Sequence, residues 1–267
     1  MDPIAFRIGG FGIRWYGLMY VAALTVGLGL TLHEVRRKGL ELQFVDLIDF
    51  ALLAFPLGLI FARLYYVVFR LSIYLRNPWW ILGLGGEGRA IGIAGFAIHG
   101  GLIGGGIALA IFSRWKRVSG WKFADSLVPS VILGQALGRL GNFLNGDAYG
   151  WPTSLPWGIE FPGYTAAGRA FPGQPLHPAM LYEMIFNLFA FVVLWSLRGK
   201  GHKDGFLAAL YVMLYSAGRS AVSVFRADSL WAGPIRAAHL ISLVLIVIFG
   251  ALMLSKRLYQ REEGFTS

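Results

Sequence analysis

Residues 237–255 of the chain read AAHLISLVLIVIFGALMLS, nineteen residues without an Asp, Glu, Lys or Arg. A helix of about 20 apolar residues is long enough to cross the hydrocarbon core of a bilayer. Two further runs without such charges, residues 15–32 and 90–113, contain 18 and 24 residues. The sequence therefore predicts membrane-spanning helices rather than the core of a soluble domain.

The composition of the whole chain agrees with this interpretation. Of its 267 residues, 56% are hydrophobic and only 14% are charged, whereas roughly a quarter of the residues of a soluble domain are charged. The net charge of +10 does not indicate a nucleic-acid-binding face, because the positive residues cluster at the ends of apolar segments, where they meet anionic lipid. The absence of cysteine excludes disulfides and a covalent intermediate on a thiol of the chain itself.

We predict an all-α, polytopic membrane protein with seven transmembrane helices and an external loop region, folded as one domain over residues 1–267. The predicted spans are about 13–33, 46–70, 92–113, 124–145, 178–197, 205–226 and 236–255. The longest connection, residues 149–177, is rich in proline and aromatic residues. A loop of this length is usually functional, and a passive lid over helix ends is the alternative.

Lysine and arginine residues predict the orientation of the chain. The segments that follow spans one, three, five and seven hold 13 of the 24 Lys and Arg residues, including all six lysines. Short cytoplasmic loops are enriched in Lys and Arg. We therefore expect an external N-terminus and a cytoplasmic C-terminus.

Several charged and polar residues fall inside the predicted spans. An ionised side chain at the centre of a bilayer costs about 3 kcal/mol on insertion scales and by default suggests a functional site. Helix positions, at 1.5 Å per residue, place these residues in the outer half of the bilayer: Tyr16, Arg63, His99, Arg139, His177, Tyr182, Glu183 and Arg219. This predicts one polar cavity open toward the outer leaflet, although Arg63 and Arg226 could instead reach the interface by snorkelling.

The segment GRLGNFLNGDAYG at residues 138–150 carries the strongest chemical signal. Arg139 and Asn142 are three residues apart and hence neighbours on one helix face. A guanidinium group matches phosphate oxygens with a planar set of donors, and Asn142 and Asn145 add uncharged polar contacts. Gly146 is expected to end the helix and to place Asp147 at the mouth of the site.

Three further motifs complete the candidate site. In HGGLIGGG, at residues 99–106, His99 can take a proton near neutral pH, as a general base must. In HPAMLYE, at residues 177–183, Glu183 can pair with an intramembrane arginine. Arg219 and Arg226 are seven residues apart, so a continuous helix would place both on one face, and with Arg139 they predict a cationic pocket for a lipid phosphate.

These motifs resemble those of the bacterial prolipoprotein diacylglyceryl transferases over nearly the whole chain, including RWYGL at residues 14–18. The resemblance implies phosphatidylglycerol as donor, the lipobox cysteine of a prolipoprotein as acceptor at the outer face of the inner membrane, and no metal, nucleotide or other cofactor. It places functional residues at Tyr16, His99, Arg139, Asn142, Asp147, Gly150 and Arg219. We expect Arg139 and Arg219 to bind the phosphate, Asn142 the glycerol hydroxyls, His99 to act as base, and Asp147 to orient a cation or accept a hydroxyl hydrogen bond.

Two positions depart from the family pattern. The family commonly has glutamate at Asp147, and it tends to have glutamate at the position of Ser223. An arginine–glutamate pair at that second position must therefore be absent or supplied by another residue. Two functions of other classes remain open: a transporter for an anionic solute, and a structural scaffold that binds lipid.

Overall fold

A computed structural model of the protein describes residues 4–83 and 98–261. In these ranges the chain forms nine α-helices, one 3₁₀ helix and four short strands. The helices are α1 (Trp15–Arg37), α2 (Phe44–Val68), α3 (Leu71–Arg76), the 3₁₀ helix (Pro78–Leu82), α4 (Ile98–Lys116), α5 (Gly120–Asn145), α6 (Ala166–Ala170), α7 (Ala179–Leu197), α8 (Phe206–Ser223) and α9 (Ala237–Ser255). The strands are β1 (Ile4–Ile8), β2 (Phe11–Arg14), β3 (Trp231–Ala232) and β4 (Ile235–Arg236), paired β1 with β2 and β3 with β4.

Long apolar helices dominate the described residues. By length and composition five of them can cross a membrane, namely α1, α2, α7, α8 and α9. The third and fourth predicted spans coincide with α4 and α5, which have 19 and 26 residues, although residues 92–97 of the third lie outside the described ranges. The predicted helical membrane protein is confirmed in this general form, and the count of seven spans stays a prediction.

The chain divides into two compact units, Leu40–Phe123 and the remainder, Met1–Gly39 with Ala124–Ser267. The prediction of a single domain is not tested by this division. In the Leu40–Phe123 unit, α2 and α4 are in backbone contact, because a Cβ atom at Gly100 or Gly104 would collide with α2 carbonyl groups. Lys116, at the end of α4, lies 2.6 Å from an oxygen of Asp46, near the start of α2. The two helices are therefore antiparallel.

In the other unit, buried ion pairs fasten one end of the helix bundle. Glu34, in the last turn of α1, is fully buried, and its carboxylate accepts hydrogen bonds from Arg37 at 2.7 Å and from Arg198, after α7, at 3.0 Å. Glutamate and arginine at these positions therefore bring the C-terminal ends of α1 and α7 together.

Asp125, in the first turns of α5, joins further helices to the same end. Its carboxylate accepts hydrogen bonds from the backbone N–H groups of Gly205 and Ala208 at 2.9 Å each, and from Lys38, after α1, at 3.0 Å. The starts of α5 and α8 thus lie beside the ends of α1 and α7. Helices α5 and α8 run in one direction and α1 and α7 in the other, the alternation that the predicted spans require.

Candidate active site

Glu183, in the second turn of α7, is the centre of a cluster of charged side chains. Its side chain is 1% exposed. One carboxylate oxygen lies 2.8 Å from Nη2 of Arg139, on α5, and the other lies 3.0 Å from Nη1 of Arg219, on α8. Nη1 of Arg226 lies 3.6 Å from that second oxygen. A single buried carboxylate therefore holds three guanidinium groups from different parts of the chain.

A close approach of α7 and α8 makes this arrangement possible. A Cβ atom at Gly218 would lie 2.2 Å from Cδ1 of the Phe186 ring, which is a collision. Only glycine at this position lets the two helices come so close. The residue that follows, Arg219, can then reach Glu183 across the helix pair.

Arg226 reaches the cluster by a route that differs from the predicted one. The sequence predicted a helix to residue 226 with Arg219 and Arg226 on one face, but α8 ends at Ser223. Beyond it the backbone turns to pair with residues after α5: Trp151 N–H donates to the Phe225 carbonyl at 2.9 Å. These backbone hydrogen bonds replace further helical ones and direct Arg226 toward Glu183.

Gly150 lies at the crossing of three backbone segments. Its N–H donates to the carbonyl of His177 at 3.0 Å. A Cβ atom here would lie 2.6 Å from the Cβ of His177 and 2.7 Å from the carbonyl oxygen of Phe225. Glycine at this position therefore allows the segment of Arg226 and the start of α7 to pack against the end of α5.

A second branch of polar side chains extends from Arg139. Its Nη1 donates to Asn142 Oδ1 at 2.9 Å, and Asn142 Nδ2 donates to one oxygen of Asp147 at 2.6 Å. Asn145 Nδ2 donates to the other oxygen of Asp147 at 2.9 Å. As expected, α5 ends at Asn145 and Gly146 follows with φ of +69°. The turn at this glycine brings the Asp147 carboxylate back to both asparagines.

The balance of charge in the cluster is positive. Arg226 also makes two hydrogen bonds to Asp228, at 2.9 and 2.8 Å. Among the groups in direct contact, three guanidinium groups and the carboxylates of Glu183 and Asp228 leave one net positive charge, while the carboxylate of Asp147 is separated from Arg139 by Asn142. Moreover, within the described residues the buried Nε–H of Arg219 has no hydrogen-bond partner. The cluster is therefore suited to one monoanionic group that accepts hydrogen bonds.

Tyr16, on α1, covers the adjoining part of α5. A Cβ atom at Gly141 would lie 2.9 Å from the ring of Tyr16, so this glycine admits the aromatic ring close to the helix that carries Arg139. The Tyr16 hydroxyl lies 3.1 Å from that of Tyr20. Tyr16 is thus a wall beside the cluster rather than a member of the ion-pair network.

The structure brings most of the predicted site residues together. Direct contacts connect Arg139, Asn142, Asn145, Asp147, Glu183, Arg219 and Arg226, and Gly150 and Tyr16 pack beside the segments that carry them. The side chain of His99 lies outside the described part of the chain. Arg63 belongs to the other unit and donates from Nε to the carbonyl of Ile81 at 3.1 Å. The sequence predicted that Arg63 lies in the polar cavity or reaches the interface, and this carbonyl partner was not predicted.

One member of the network, Asp228, and one residue near it, His239, were not predicted. Asp228 binds Arg226 through two hydrogen bonds, and the spacing Arg-x-Asp after a predicted helix was the available signal. Burial and the negative charge of Asp228 raise the pKa of the Tyr149 phenol. His239, on α9, contacts serines of α8, and nothing in its local sequence indicated this.

The fold and the cluster define a multi-pass helical membrane protein with buried positive charge. The family model for prolipoprotein diacylglyceryl transferase matches residues 3–255. A phosphatidylglycerol–prolipoprotein diacylglyceryl transferase from Clostridium kluyveri is 42% identical over 248 residues, which cover 93% of this chain and 94% of the relative. Proteins of the same name from Clostridioides difficile and Synechocystis are each 38% identical, over 96% and 92% of this chain and 97% and 86% of their own.

The chain thus belongs to the prolipoprotein diacylglyceryl transferase family, and its activity is that of a transferase. The predicted resemblance is confirmed. Membership in this family does not favour the alternative of an anion transporter.

Proposed function

We propose that the protein transfers the diacylglyceryl group of phosphatidylglycerol to the thiol of a lipobox cysteine in a prolipoprotein, the first step of lipoprotein maturation. Its relatives carry the names of this donor and acceptor. The observation that carries the proposal is the cluster of three guanidinium groups around Glu183, with one net positive charge. A phosphodiester carries one negative charge and accepts hydrogen bonds, so the donor headgroup complements the cluster.

The reaction is a substitution at the carbon of the diacylated glycerol that carries the phosphate. The thiolate sulfur forms a bond to this carbon, and the carbon–oxygen bond breaks with its electron pair remaining on the phosphate oxygen. The products are a thioether-linked diacylglyceryl prolipoprotein and glycerol phosphate. The thiol proton passes to a base, because the thiolate is the nucleophile. Guanidinium groups fixed in a dry site stabilise the charge that develops on the departing oxygen.

The contacts of the cluster support a role for each residue. Arg139 and Arg219 bind the phosphate, and Glu183 holds both guanidinium groups in place before the donor arrives. Arg226, fixed by Asp228, adds positive charge at the edge. Asn142 is held between Arg139 and Asp147, and its second amide hydrogen is available to a glycerol hydroxyl.

Four further residues position the groups that bind the phosphate: Asp147, Asn145, Tyr16 and Gly150. Asp147 is fixed by two asparagine donors, so it orients the amides beside the headgroup rather than a cation. Tyr16 closes the wall next to Gly141. Gly150 makes room for the segment that carries Arg226. The site therefore consists of one group of residues that binds phosphate and a second group that positions the first.

His99 is proposed as the base that accepts the thiol proton. It lies in the first turn of α4 and precedes the glycine run that packs against α2. His99→Gln is expected to lower turnover by about 10²–10⁴-fold, the usual contribution of a general base, with the affinity for phosphatidylglycerol retained. Single-turnover rates and lipid binding on the same variant test this, with His33→Gln as control. Weakened binding with an unchanged pH–rate profile would assign the base role elsewhere.

The proposed topology has seven spans, an external N-terminus, a cytoplasmic C-terminus and a site that faces the outer leaflet of the inner membrane. The native chain has no cysteine, so single cysteines can be introduced without background. In intact cells, an impermeant thiol reagent is expected to label a cysteine at Gly163, where the structure leaves open space. It is expected not to label cysteines at Lys38, Lys116 or Lys200. Labelling of any of these three positions from outside contradicts the orientation.

A direct assay tests the function itself. Purified protein in phosphatidylglycerol nanodiscs is incubated with a lipobox peptide, and the products are analysed by mass spectrometry. We expect a peptide that has gained a thioether-linked diacylglyceryl group, together with an equal amount of glycerol phosphate. A peptide whose cysteine is replaced by serine is expected to remain unmodified. Binding of lipid without either product would instead favour a structural scaffold.

A further inference from the structure

The hairpin of β1 and β2, which precedes α1, has one face formed by apolar side chains. Successive side chains of a strand point to opposite faces of a sheet, and directly paired residues share a face. Phe6 pairs with Ile13, and Ile8 pairs with Phe11. Two cross-strand pairs of aromatic and branched residues therefore form one continuous apolar face.

The described residues leave most of this face uncovered. The exposed fractions are 48% for Phe6, 65% for Ile8 and 81% for Phe11. A contiguous apolar patch on a protein surface marks a contact with another protein or with a membrane. A two-stranded hairpin is marginally stable by itself in water, so a partner that covers the apolar face would stabilise it.

The opposite face of the hairpin carries a positive charge. Arg7 lies between Phe6 and Ile8 in the chain and pairs with Gly12, so it belongs to the other face. Arg7 is exposed. An arginine can lay its methylene stem along apolar surface while its guanidinium group binds phosphate oxygens. The hairpin is therefore amphipathic, with apolar residues on one face and a basic residue on the other, as in segments that lie in a bilayer interface.

The position of the hairpin in the chain favours a lipid surface over a protein partner. Strand β2 ends at Arg14, and α1, which can cross a membrane, begins at Trp15. Because no residue separates the two elements, the hairpin lies at the membrane surface when α1 spans the bilayer. Trp15 is 37% exposed, and tryptophan is enriched at this interface. Lipid headgroups are thus next to the hairpin, whereas a protein partner would have to be recruited.

The same link relates the hairpin to the candidate active site. Tyr16, in the first turn of α1, packs against Gly141 of α5. At the other end of the bundle Lys38, after α1, binds Asp125, in the first turns of α5. The hairpin therefore lies at the end of the bundle that carries the cluster around Glu183.

We propose that the β1–β2 hairpin is a membrane anchor whose apolar face inserts into the lipid leaflet at this end of the bundle. Phe6, Ile8 and Phe11 enter the boundary between headgroups and acyl chains, and Arg7 stays at the level of the phosphates. The anchor fixes the start of α1, and with it Tyr16 beside the site. This inference goes beyond the proposed function, because it concerns a lipid contact that involves no chemical step.

Spin labels on introduced cysteines test the depth of the hairpin. The chain has no cysteine of its own, so Ile8→Cys and Phe11→Cys each carry a single label. Arg7→Cys is the matched control, because Arg7 is the neighbour of Ile8 on the opposite face. Gly163→Cys, where the structure leaves open space in the connection between α5 and α7, is the aqueous reference.

Each labelled protein is placed as a single copy in nanodiscs of phosphatidylglycerol and phosphatidylcholine. Collision of the label with oxygen, which is enriched in lipid, is compared with its collision with a nickel chelate, which stays in water. We expect the labels of Ile8→Cys and Phe11→Cys to collide mainly with oxygen, at a depth of about 5–10 Å below the phosphates, as for an interfacial segment. The label of Arg7→Cys is expected at phosphate level, and that of Gly163→Cys in water.

Two controls keep the result independent of folding defects. The two positions on the apolar face report separately, and thermal unfolding at the wild-type temperature shows that each labelled protein retains its fold. If both labels on the apolar face meet the nickel chelate as often as the label of Gly163→Cys does, the face lies in water and the anchor is overturned.

Protection of both labels from oxygen and nickel alike would place the face against protein and would also overturn the anchor. Dipolar broadening in nanodiscs that hold two copies would then identify a second copy of the chain as the partner. Neither result depends on transfer to the lipobox peptide, which tests the proposed function separately.

Discussion

Arg139→Ala is expected to lower the rate of diacylglyceryl transfer by about 10³-fold, the upper range for removal of one preorganised donor to a developing anion. Arg139 is the one guanidinium group that connects both branches of the site, because it binds Glu183 at 2.8 Å and Asn142 at 2.9 Å. Alanine removes the phosphate donor and releases both partners. The rate is measured by mass spectrometry of the lipobox peptide.

Arg139→Lys tests whether geometry or charge is required. Lysine keeps the charge but lacks the planar set of donors, so it is expected to restore only part of the activity. Arg36→Ala, at an exposed arginine of α1, is the matched control and should retain full transfer. If Arg139→Ala transfers within 10-fold of the wild type, Arg139 does not bind the phosphate.

Glu183→Gln is expected to reduce transfer to background and to destabilise the fold by about 3–5 kcal/mol, the usual cost of removing one partner of a buried ion pair. The substitution preserves the shape of the side chain. It removes the only carboxylate that contacts Arg139 and Arg219 among the described residues, so both guanidinium groups remain buried without a counter-charge. Thermal unfolding in detergent reports the stability, and the peptide assay reports the activity.

The network also predicts which substitution costs more stability. Arg226 has a second partner in Asp228 and lies 3.6 Å from Glu183, farther than the other two arginines. Arg226→Gln should therefore cost less stability than Glu183→Gln. Glu160→Gln, at an exposed carboxylate in the connection between α5 and α7, should change neither quantity. Wild-type stability and transfer in Glu183→Gln would remove the central role of this carboxylate.

The helices could be predicted from sequence because their signal is local. A segment that crosses a bilayer must be apolar over about 20 residues, whatever its neighbours are. Helix α9 is Ala237–Ser255 and the predicted span was 236–255. The relative directions of α1, α5, α7 and α8 also followed, since consecutive spans of a bilayer must alternate in direction.

The ends of elements were less predictable, because they depend on contacts with distant residues. Helix α8 was predicted to reach residue 226 and ends at Ser223, where the backbone of Phe225 pairs with Trp151. The β1–β2 pair, Ile4–Ile8 with Phe11–Arg14, was not predicted. It is short and lies next to the apolar run of α1, whose hydropathy dominates that part of the sequence.

The residues of the site were predictable, but their partners were not. A charged or amide side chain at membrane depth is costly wherever it lies, so Arg139, Arg219 and Glu183 could be identified one at a time. The sequence indicated that Glu183 pairs with one arginine, and it contacts three. The carboxylates that contact the three arginines are those of Glu183, on α7, and Asp228, in the segment after α8. Such pairing is decided by helix packing.

The most direct test of the account is a structure of the protein in phosphatidylglycerol nanodiscs without acceptor peptide, solved by electron cryomicroscopy. The chain has no cysteine of its own, so no thiol is present to consume the donor. The account predicts headgroup phosphate oxygens at hydrogen-bond distance, about 2.7–3.2 Å, from guanidinium nitrogens of both Arg139 and Arg219. A donor phosphate bound elsewhere, with both arginines contacting only protein groups, would contradict it.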